Sequence, residues 1–501
     1  MSTPKPLLSK TRIQNGRQCH KRLWLEMHQP DLVAWTDEAQ ARLDEGTRFG
    51  ELARELLGGG VLVEAGHREV EQALAETAAL LAQSRRTTPM LFEPAFSHRD
   101  VRVRVDAYRR GPRGDTLIEV KSTTGVKPEH IWDCAIQTWV ARGSGRNVTK
   151  IELAHLDRDF VYTREGDYAG LLVCKDITAE VEALQPKIPA IVTRLKRVAR
   201  GEMPAIATGA QCEDPYPCPF FEHCRSAEPP GPDFPVTLLP HARLLIERLQ
   251  AEGHTDLRKV PLAALENARH RRIARATRTN RPWISPTLGQ VLDDIGYPRH
   301  FLDFETIMYA VPRWLGTRPF QQLPFQFSCH TQQRDGRFTH AAFLDVSGRS
   351  SLAGFVDALL DAVGKKGPIL VWNGKFEAAR LRELAVQFPP KADALHAIIE
   401  RMVDLLPIYR EHYYHRDMRG SWSLKAVLPT VAPELDYADL AVGDGSEAQA
   451  AYREAIHPDT PEARREELKA QLLAYCERDT FAMTRLMAVR APTRHESPTV
   501  A

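Results

Sequence analysis

The sequence predicts an α/β protein built as two separate cores, and three stretches carry that expectation. In VRVRVDAYRRGPRGDTLIEVKSTTG, residues 101–125, Val and Arg alternate over 101–105, GPRGD makes a turn, and TLIEVKS is a second strand. From about residue 299 a new strand-and-helix pattern opens with HFLDFET and runs to a helix ending near Val489. Between them SAEPPGPDFPVTLLP, residues 226–240, holds five prolines and reads as an extended linker.

A chain of 501 residues has room for two to four domains. Residues 1–225 form the first unit, 226–240 the linker, 241–298 a helical basic connector, 299–489 the second unit, and 490–501 a disordered tail. In the connector, HARLLIERLQAEG spaces its apolar residues at helical intervals and ends on glycine. A formal net charge of +2, with 43% hydrophobic and 26% charged residues, is that of an ordinary globular protein. Any charged partner must therefore be met by local patches. No apolar run approaches the roughly 18 residues that cross a bilayer, and MSTPKPLLSKTRIQNGRQ lacks the apolar core of a secretion signal. The expectation is a cytoplasmic protein with no membrane partner and reduced thiols.

Reduced, clustered thiols point to metal. QCEDPYPCPFFEHC, residues 211–224, carries Cys212, Cys218 and Cys224, each separated from the next by five residues. Zinc and iron–sulfur clusters both usually take four ligands, so one is missing. Cys19, in the basic and aromatic segment NGRQCHKRLWLEM, is the candidate for the fourth place. Cys134, Cys174 and Cys476 lie in apolar or helix-like contexts and read as small core residues.

The first chemical constellation lies on the 101–125 hairpin. Glu119 and Lys121 are two apart on a strand and share a face, and Asp106 ends the preceding strand beside them. Two carboxylates can hold Mg²⁺ or Mn²⁺ against a phosphodiester, while the lysine orients a water and offsets developing charge. An exposed Glu/Lys pair on an ordinary hairpin is the plain alternative. Downstream, IWDCAIQTWVARGSG is a helix with Asp133 and Gln137 at i, i+4, on one face.

The second constellation is acidic. HFLDFETIMYA puts Asp303 and Glu305 on one side of a strand. PILVWNGKFEAARLREL, residues 368–384, reads as a buried strand, a turn and a helix, with Glu377 four residues after Asn373. RMVDLLPIY holds Asp404, and the helix LLAYCERDTFAMTRLM carries Tyr475 and Asp479 at i, i+4. If these acids converge, their repulsion requires a cation, and two Mg²⁺ or Mn²⁺ ions would stabilise the attacking water and the leaving 3′-oxygen. The alternative for each acid alone is a helix cap or a solvated position.

The order Asp106, Glu119-x-Lys121, then a helix with Gln137 resembles the RecB-type branch of the PD-(D/E)xK nucleases. That branch includes the CRISPR-associated adaptation exonucleases and the nuclease domains of RecB- and AddB-type recombination enzymes. The leading segment LSKTRIQNGRQCHKRLWLE is similar to theirs, with Cys19 at the cysteine position, and the resemblance covers about residues 7–225. It implies a restriction-endonuclease-like fold and a 4Fe–4S cluster on Cys19, Cys212, Cys218 and Cys224, with zinc as the alternative. Two departures stand out: Gly50 falls where the family carries a histidine, and no tyrosine matches the end of the Gln137 motif.

The set D-x-E (Asp303, Glu305), N-x-x-F-E-x-x-x-L (Asn373 to Leu381) and Y-x-x-x-D (Tyr475, Asp479) resembles the tyrosine-type DEDD exonucleases of the ribonuclease H-like fold, over about residues 299–489. Glu377 stands where that family has Asp, which leaves room for Asp404 to contribute. GSWSLKAVLP, residues 420–429, is similar to the segment between the last two motifs. Together the halves resemble a bacterial family that joins a RecB-like nuclease with a cysteine cluster to a DEDD-type domain.

In ENARHRRIARATRTNR, Arg271, Arg275 and Arg278 follow helical spacing and form a candidate phosphate-binding stripe, or else a solvated helix face. The expectation is a metal-dependent nuclease acting on nucleic acid, DNA in preference to RNA, in repair, recombination or defence. The rivals are a nucleic-acid-binding protein with inactive nuclease folds and a redox-sensing iron–sulfur regulator.

Overall fold

The structure is a computed structural model that describes residues 8–33, 37–66, 69–435 and 440–491. It is a mixed α/β protein, and its chain divides into two compact units. One is Met1–Pro229 with Tyr309–Gln321, and the other is Pro230–Met308 with Gln322–Ala501. The expected tail lies outside the described residues from position 492 onward. No helix among the described residues is long and apolar enough to cross a membrane.

The first unit holds strands β1 (Leu8–Ser9), β2 (Val61–Leu62), β3 (Met90–Phe92), β4 (Ala95–His98), β5 (Val101–Arg104), β6 (Ala107–Arg109), β7 (Asp115–Lys121), β8 (Val148–Leu156) and β9 (Leu172–Asp176). Six form one sheet in the order β2-β3-β6-β7-β8-β9, and three form another in the order β1-β5-β4. The expected hairpin is therefore corrected. The Val/Arg strand β5 pairs with β4, and β7 pairs instead with the short β6. The chain leaves one sheet for the other at Asp106, whose Oδ2 accepts the Val120 N–H at 2.7 Å. The alternation is real in both readings, since Val101, Val103 and Val105 are buried while Arg102 and Arg104 are half-buried. Period two identifies a strand but not its neighbour.

Among helices α1 (Lys10–Gln18), α2 (His20–His28), α3 (Pro128–Gly143) and α4 (Ile188–Arg200), α3 packs on both sheets and α1 on β1 and β5, while α2 and α4 pack on α1 and on each other. Ser9 caps α1 by accepting the Arg12 N–H, and Pro128 opens α3 where a missing N–H is harmless. Ile188, Val192, Leu195 and Ala199 form the buried stripe of α4. Gly16 is what lets α1 approach it, because a Cβ there would sit 2.9 Å from a Leu195 methyl.

The second unit centres on β10 (Arg299–Ile307), β11 (Leu323–Gln332), β12 (Phe338–Leu344), β13 (Ile369–Val371) and β14 (Met402–Asp404), in the sheet order β12-β11-β10-β13-β14. β11 runs antiparallel to β10 and β12, whereas β13 and β14 run parallel to β10. The helices that matter below are α5 (Ala268–Thr279), α6 (Lys375–Gln387), α7 (Leu405–His412) and α8 (Glu462–Leu486). Helix α8 buries Leu468, Leu472, Tyr475, Asp479, Met483 and Leu486, a stripe that mixes core and site residues.

Two expectations about the middle of the chain fail. The proline-rich stretch is not an extended linker: Phe234, Val236 and Leu239 are buried, and Val236 N and Phe234 O bond to Thr255 and Leu257. The residues between 241 and 298 are helical in part, but they belong to the second unit rather than to a connector. Proline restricts local conformation without preventing burial of the apolar residues between.

Candidate active sites and metal centre

In the second unit, β10 presents Asp303 and Glu305 on one face, and α8 brings Asp479 and Tyr475 to it. Carboxylate oxygens of Asp303, Glu305 and Asp479 lie within 4.8 Å of one another. Burial, followed by the charges of Asp479, Glu305 and Glu377, pushes Asp303 well above the ordinary carboxylate range. Burial and then Asp479 push Glu305 up to about 8, with Lys425 opposing. Glu377, in the first turn of α6, is buried and also pushed up to about 8, by burial and then by Asp404. Its Oε2 has no hydrogen-bond partner. Lys425 donates to the Gly443 carbonyl at 2.6 Å and its Nζ lies 5.0 Å from the Tyr475 ring centre. Three buried acids pushed toward their neutral form beside Asp479, one with an orphaned oxygen, fit a divalent cation: its charge would offset the burial and repulsion that raise Asp303, Glu305 and Glu377.

Asp404 has a different role. Its Oδ1 accepts the N–H of Asn373 at 3.1 Å and of Leu406 at 3.0 Å, so it caps α7 and fixes the turn before α6. That turn places Asn373 at a φ of +74°. Asn tolerates this left-handed conformation better than most residues, which accounts for its place in the motif.

In the first unit, Glu119 on β7 is fully buried and meets two ammonium groups. Lys10 Nζ lies 2.6 Å and Lys121 Nζ 2.7 Å from its Oε1. Gln137 Nε2 donates to its Oε2, and Gln137 Oε1 is buried without a partner. Lys121 also reaches Asp133 Oδ2 at 2.9 Å, and Gln14 Nε2 donates to Asp133 Oδ1 at 3.0 Å. Burial alone would raise Glu119, but Lys10 and Lys121 outweigh it and hold the carboxyl far below its usual range. Asp106 goes the other way: burial and then the Glu119 charge push it up to about 7. Asp106, Glu119, Lys121 and Gln137 thus converge, and the structure adds Lys10. The signal for Lys10 was its place in LSK at the head of the leading segment, but no spacing rule links positions 109 residues apart. A cation fits here less readily than in the second unit, because ammonium groups already neutralise Glu119.

Cys19, Cys212, Cys218 and Cys224 line one small cavity, and none is in a disulfide. Cys19 sits at the junction of α1 and α2, and Gln18 Nε2 ties that junction to the carbonyls of Gln211 and Tyr216 at 2.8 and 2.7 Å. Burial raises Cys218 and Cys224, with Arg22 and Lys21 respectively opposing. Among the described residues no three of these sulfurs gather within 4.8 Å. Cys134 and Cys476 are buried as expected, but Cys174 is exposed on the edge strand β9, whose residues Val173–Asp176 are all exposed.

The arginine stripe of α5 is divided. Arg271 donates to the carbonyls of Leu265 and Glu266, both at 2.8 Å, and Arg278 to those of Arg258 and Val260 at 2.9 and 2.6 Å. Both side chains hold local structure. Arg275 is exposed.

Residues 300–423 match a family described as a domain of unknown function, DUF2779. The match takes in Asp303, Glu305 and Glu377 and ends before Tyr475 and Asp479. The chain is also 25% identical over 204 residues to an uncharacterized protein of Ureaplasma parvum serovar 3. That alignment covers 36% of this chain and 30% of the other protein's length.

Proposed function

We propose that this chain is a metal-dependent nuclease that hydrolyses phosphodiester bonds, DNA in preference to RNA, with a 3′–5′ exonuclease site in its second unit and a RecB-like site in its first. The observation that carries the reading is the convergence of Asp303, Glu305 and Asp479 within 4.8 Å, with Glu377 close enough to raise Asp303. The sheet order β12-β11-β10-β13-β14, with β11 running against the other four strands, supports a ribonuclease H-like fold for this unit.

Asp303, Glu305, Glu377 and Asp479 would hold Mg²⁺ or Mn²⁺, which supplies charge against the scissile phosphate and a water of lowered pKa. The Tyr475 hydroxyl would orient that water. Lys425, packed over the Tyr475 ring, adds positive charge beside the phosphate. In the first unit Asp106 and Glu119 would hold the metal, Lys121 Nζ would orient the water, and Gln137 would keep the Glu119 carboxylate in place. The four cysteines would hold a 4Fe–4S cluster that pins α1 and α2 to the 211–224 segment; it clasps chain ends nearly two hundred residues apart.

One observation favours a second reading for the first unit alone. With Lys10 and Lys121 both on Glu119, that site would bind nucleic acid without cutting it. End-labelled single and double strands incubated with Mg²⁺ or Mn²⁺ separate the readings. Asp303→Asn should abolish stepwise loss from the 3′ end. Glu119→Gln should change the remaining products if the first unit cuts, and leave them unchanged if it only binds. Full degradation by the double variant would overturn both assignments.

A further inference from the structure

A second set of ligand-type side chains lies in the second unit, outside the acid cluster. His330 on β11 stands directly opposite His340 on β12. Their rings stack with centroids 4.4 Å apart and planes inclined by 25°. Helix α8 adds Glu477, whose Oε1 lies 3.8 Å from His340 Nδ1. One ligand atom from each of the three falls within 4.8 Å of the others.

The outer nitrogens of the two rings are already held by hydroxyl groups. Thr480 Oγ1 is 2.8 Å from His330 Nδ1, Ser328 Oγ is 2.9 Å from His340 Nε2, and the two hydroxyl oxygens are 2.7 Å apart. Thr480 Oγ1 also lies 3.1 Å from the Glu477 carbonyl. One proton arrangement satisfies every member. His330 Nδ1–H and the Ser328 hydroxyl both donate to Thr480 Oγ1. The Thr480 hydroxyl donates to the Glu477 carbonyl, and His340 Nε2–H donates to Ser328 Oγ. In that arrangement both imidazoles are neutral, and their remaining nitrogens, Nε2 of His330 and Nδ1 of His340, carry lone pairs. A hydrogen bond to the non-ligating nitrogen is how metal-binding histidines are usually oriented.

We propose that His330, His340 and Glu477 form a binding site for a divalent cation of the zinc class, separate from the Asp303, Glu305 and Asp479 cluster. Two imidazole nitrogens and one carboxylate suit zinc or its borderline neighbours, whereas Mg²⁺ prefers oxygen ligands throughout. With neutral rings the ligand set carries one negative charge, which a divalent ion over-neutralises without demanding a further acid. His330 is buried, with the Phe481 ring 5.6 Å away, while His340 and Glu477 are exposed, so water can complete the coordination. The bound ion would pin the outer hairpin β11–β12 to α8 two residues from Asp479.

The test titrates Zn²⁺ into the full chain, with its cysteine centre as isolated and excess Mg²⁺ present on the carboxylate sites. Co²⁺ serves as the spectroscopic probe. Wild type should bind Zn²⁺ more tightly than His340→Ala and Glu477→Gln by roughly tenfold or more. Asp303→Asn should bind it as wild type does. Co²⁺ should give visible d–d bands that His340→Ala loses, without a thiolate charge-transfer band. His340 and Glu477 are exposed, so both variants should keep the wild-type melting profile in metal-free buffer. Equal Zn²⁺ affinity in wild type and both ligand variants would overturn the proposal. So would loss of Zn²⁺ binding in Asp303→Asn alone.

Discussion

Lys10 Nζ lies 2.6 Å from Glu119 Oε1, joining the first turn of α1 to the centre of the six-stranded sheet. Glu119 is fully buried and Lys10 is partly buried. Removing one partner of such a pair leaves a buried charge short of compensation. Lys121 and Gln137 remain on Glu119, so Lys10→Met should cost about 1–3 kcal/mol rather than the larger loss of an isolated buried pair. Urea unfolding of the first unit measures it.

The same pairing has a pH signature. Glu119 is held below its unfolded value of 4.5, so its contribution is present above that value and is lost as pH falls through the folded pKa. Without Lys10 the folded pKa rises, and acid destabilisation of the first unit should begin at a higher pH. Unfolding midpoints of wild type and Lys10→Met between neutral pH and pH 3 would show it; parallel curves would contradict the assignment.

For the second unit the sign reverses. Glu305 and Glu377 titrate at about 8 when folded, against 4.5 unfolded. Metal-free, their contribution is intact below 4.5 and lost as pH rises through about 8. Thermal stability of this unit should therefore fall between pH 5 and pH 8.5 in metal-free buffer, and Mn²⁺ should restore it most at the alkaline end. A Mn²⁺ shift in melting temperature that does not depend on pH would count against a cation among these acids.

Glu377→Gln separates stability from catalysis. It removes a buried charge whose Oε2 lacks a partner, so the metal-free unit should gain on the order of 1 kcal/mol at pH 8 while 3′–5′ hydrolysis is lost. Calorimetry and an end-labelled strand assay read the two effects.

On α5, Arg271→Ala should lose about 1 kcal/mol of stability, because two backbone carbonyls lose their donor. Arg275→Ala should leave stability alone and, if α5 meets phosphate, lower the salt slope of nucleic-acid binding by about 1. An unchanged slope would remove α5 from the interface.

The residues that converge in each unit were largely legible in order along the chain. Asp303 and Glu305 share a face because strand alternation is covalent geometry, and Tyr475 and Asp479 because helix periodicity is; both follow from local sequence. For the same reason Glu119 and Lys121 could be placed together. Pairing between segments was less legible. The Val/Arg pattern at 101–105 identifies a strand, yet its partners are β4 and β1 rather than β7, since alternation does not name a neighbour. Prolines between 226 and 240 suggest an extended chain, yet Phe234, Val236 and Leu239 find a core.

What the sequence by itself determined, then, is an α/β protein of two units and the side chains that local periodicity sets on a common face. Tertiary structure alone decided which distant groups meet. Lys10 against Glu119, Asp404 against the Asn373 N–H, and Glu477 beside the His330 and His340 pair depend on contacts between segments far apart in the chain. Such contacts arise from burial of apolar faces, which is non-directional and set by the whole fold.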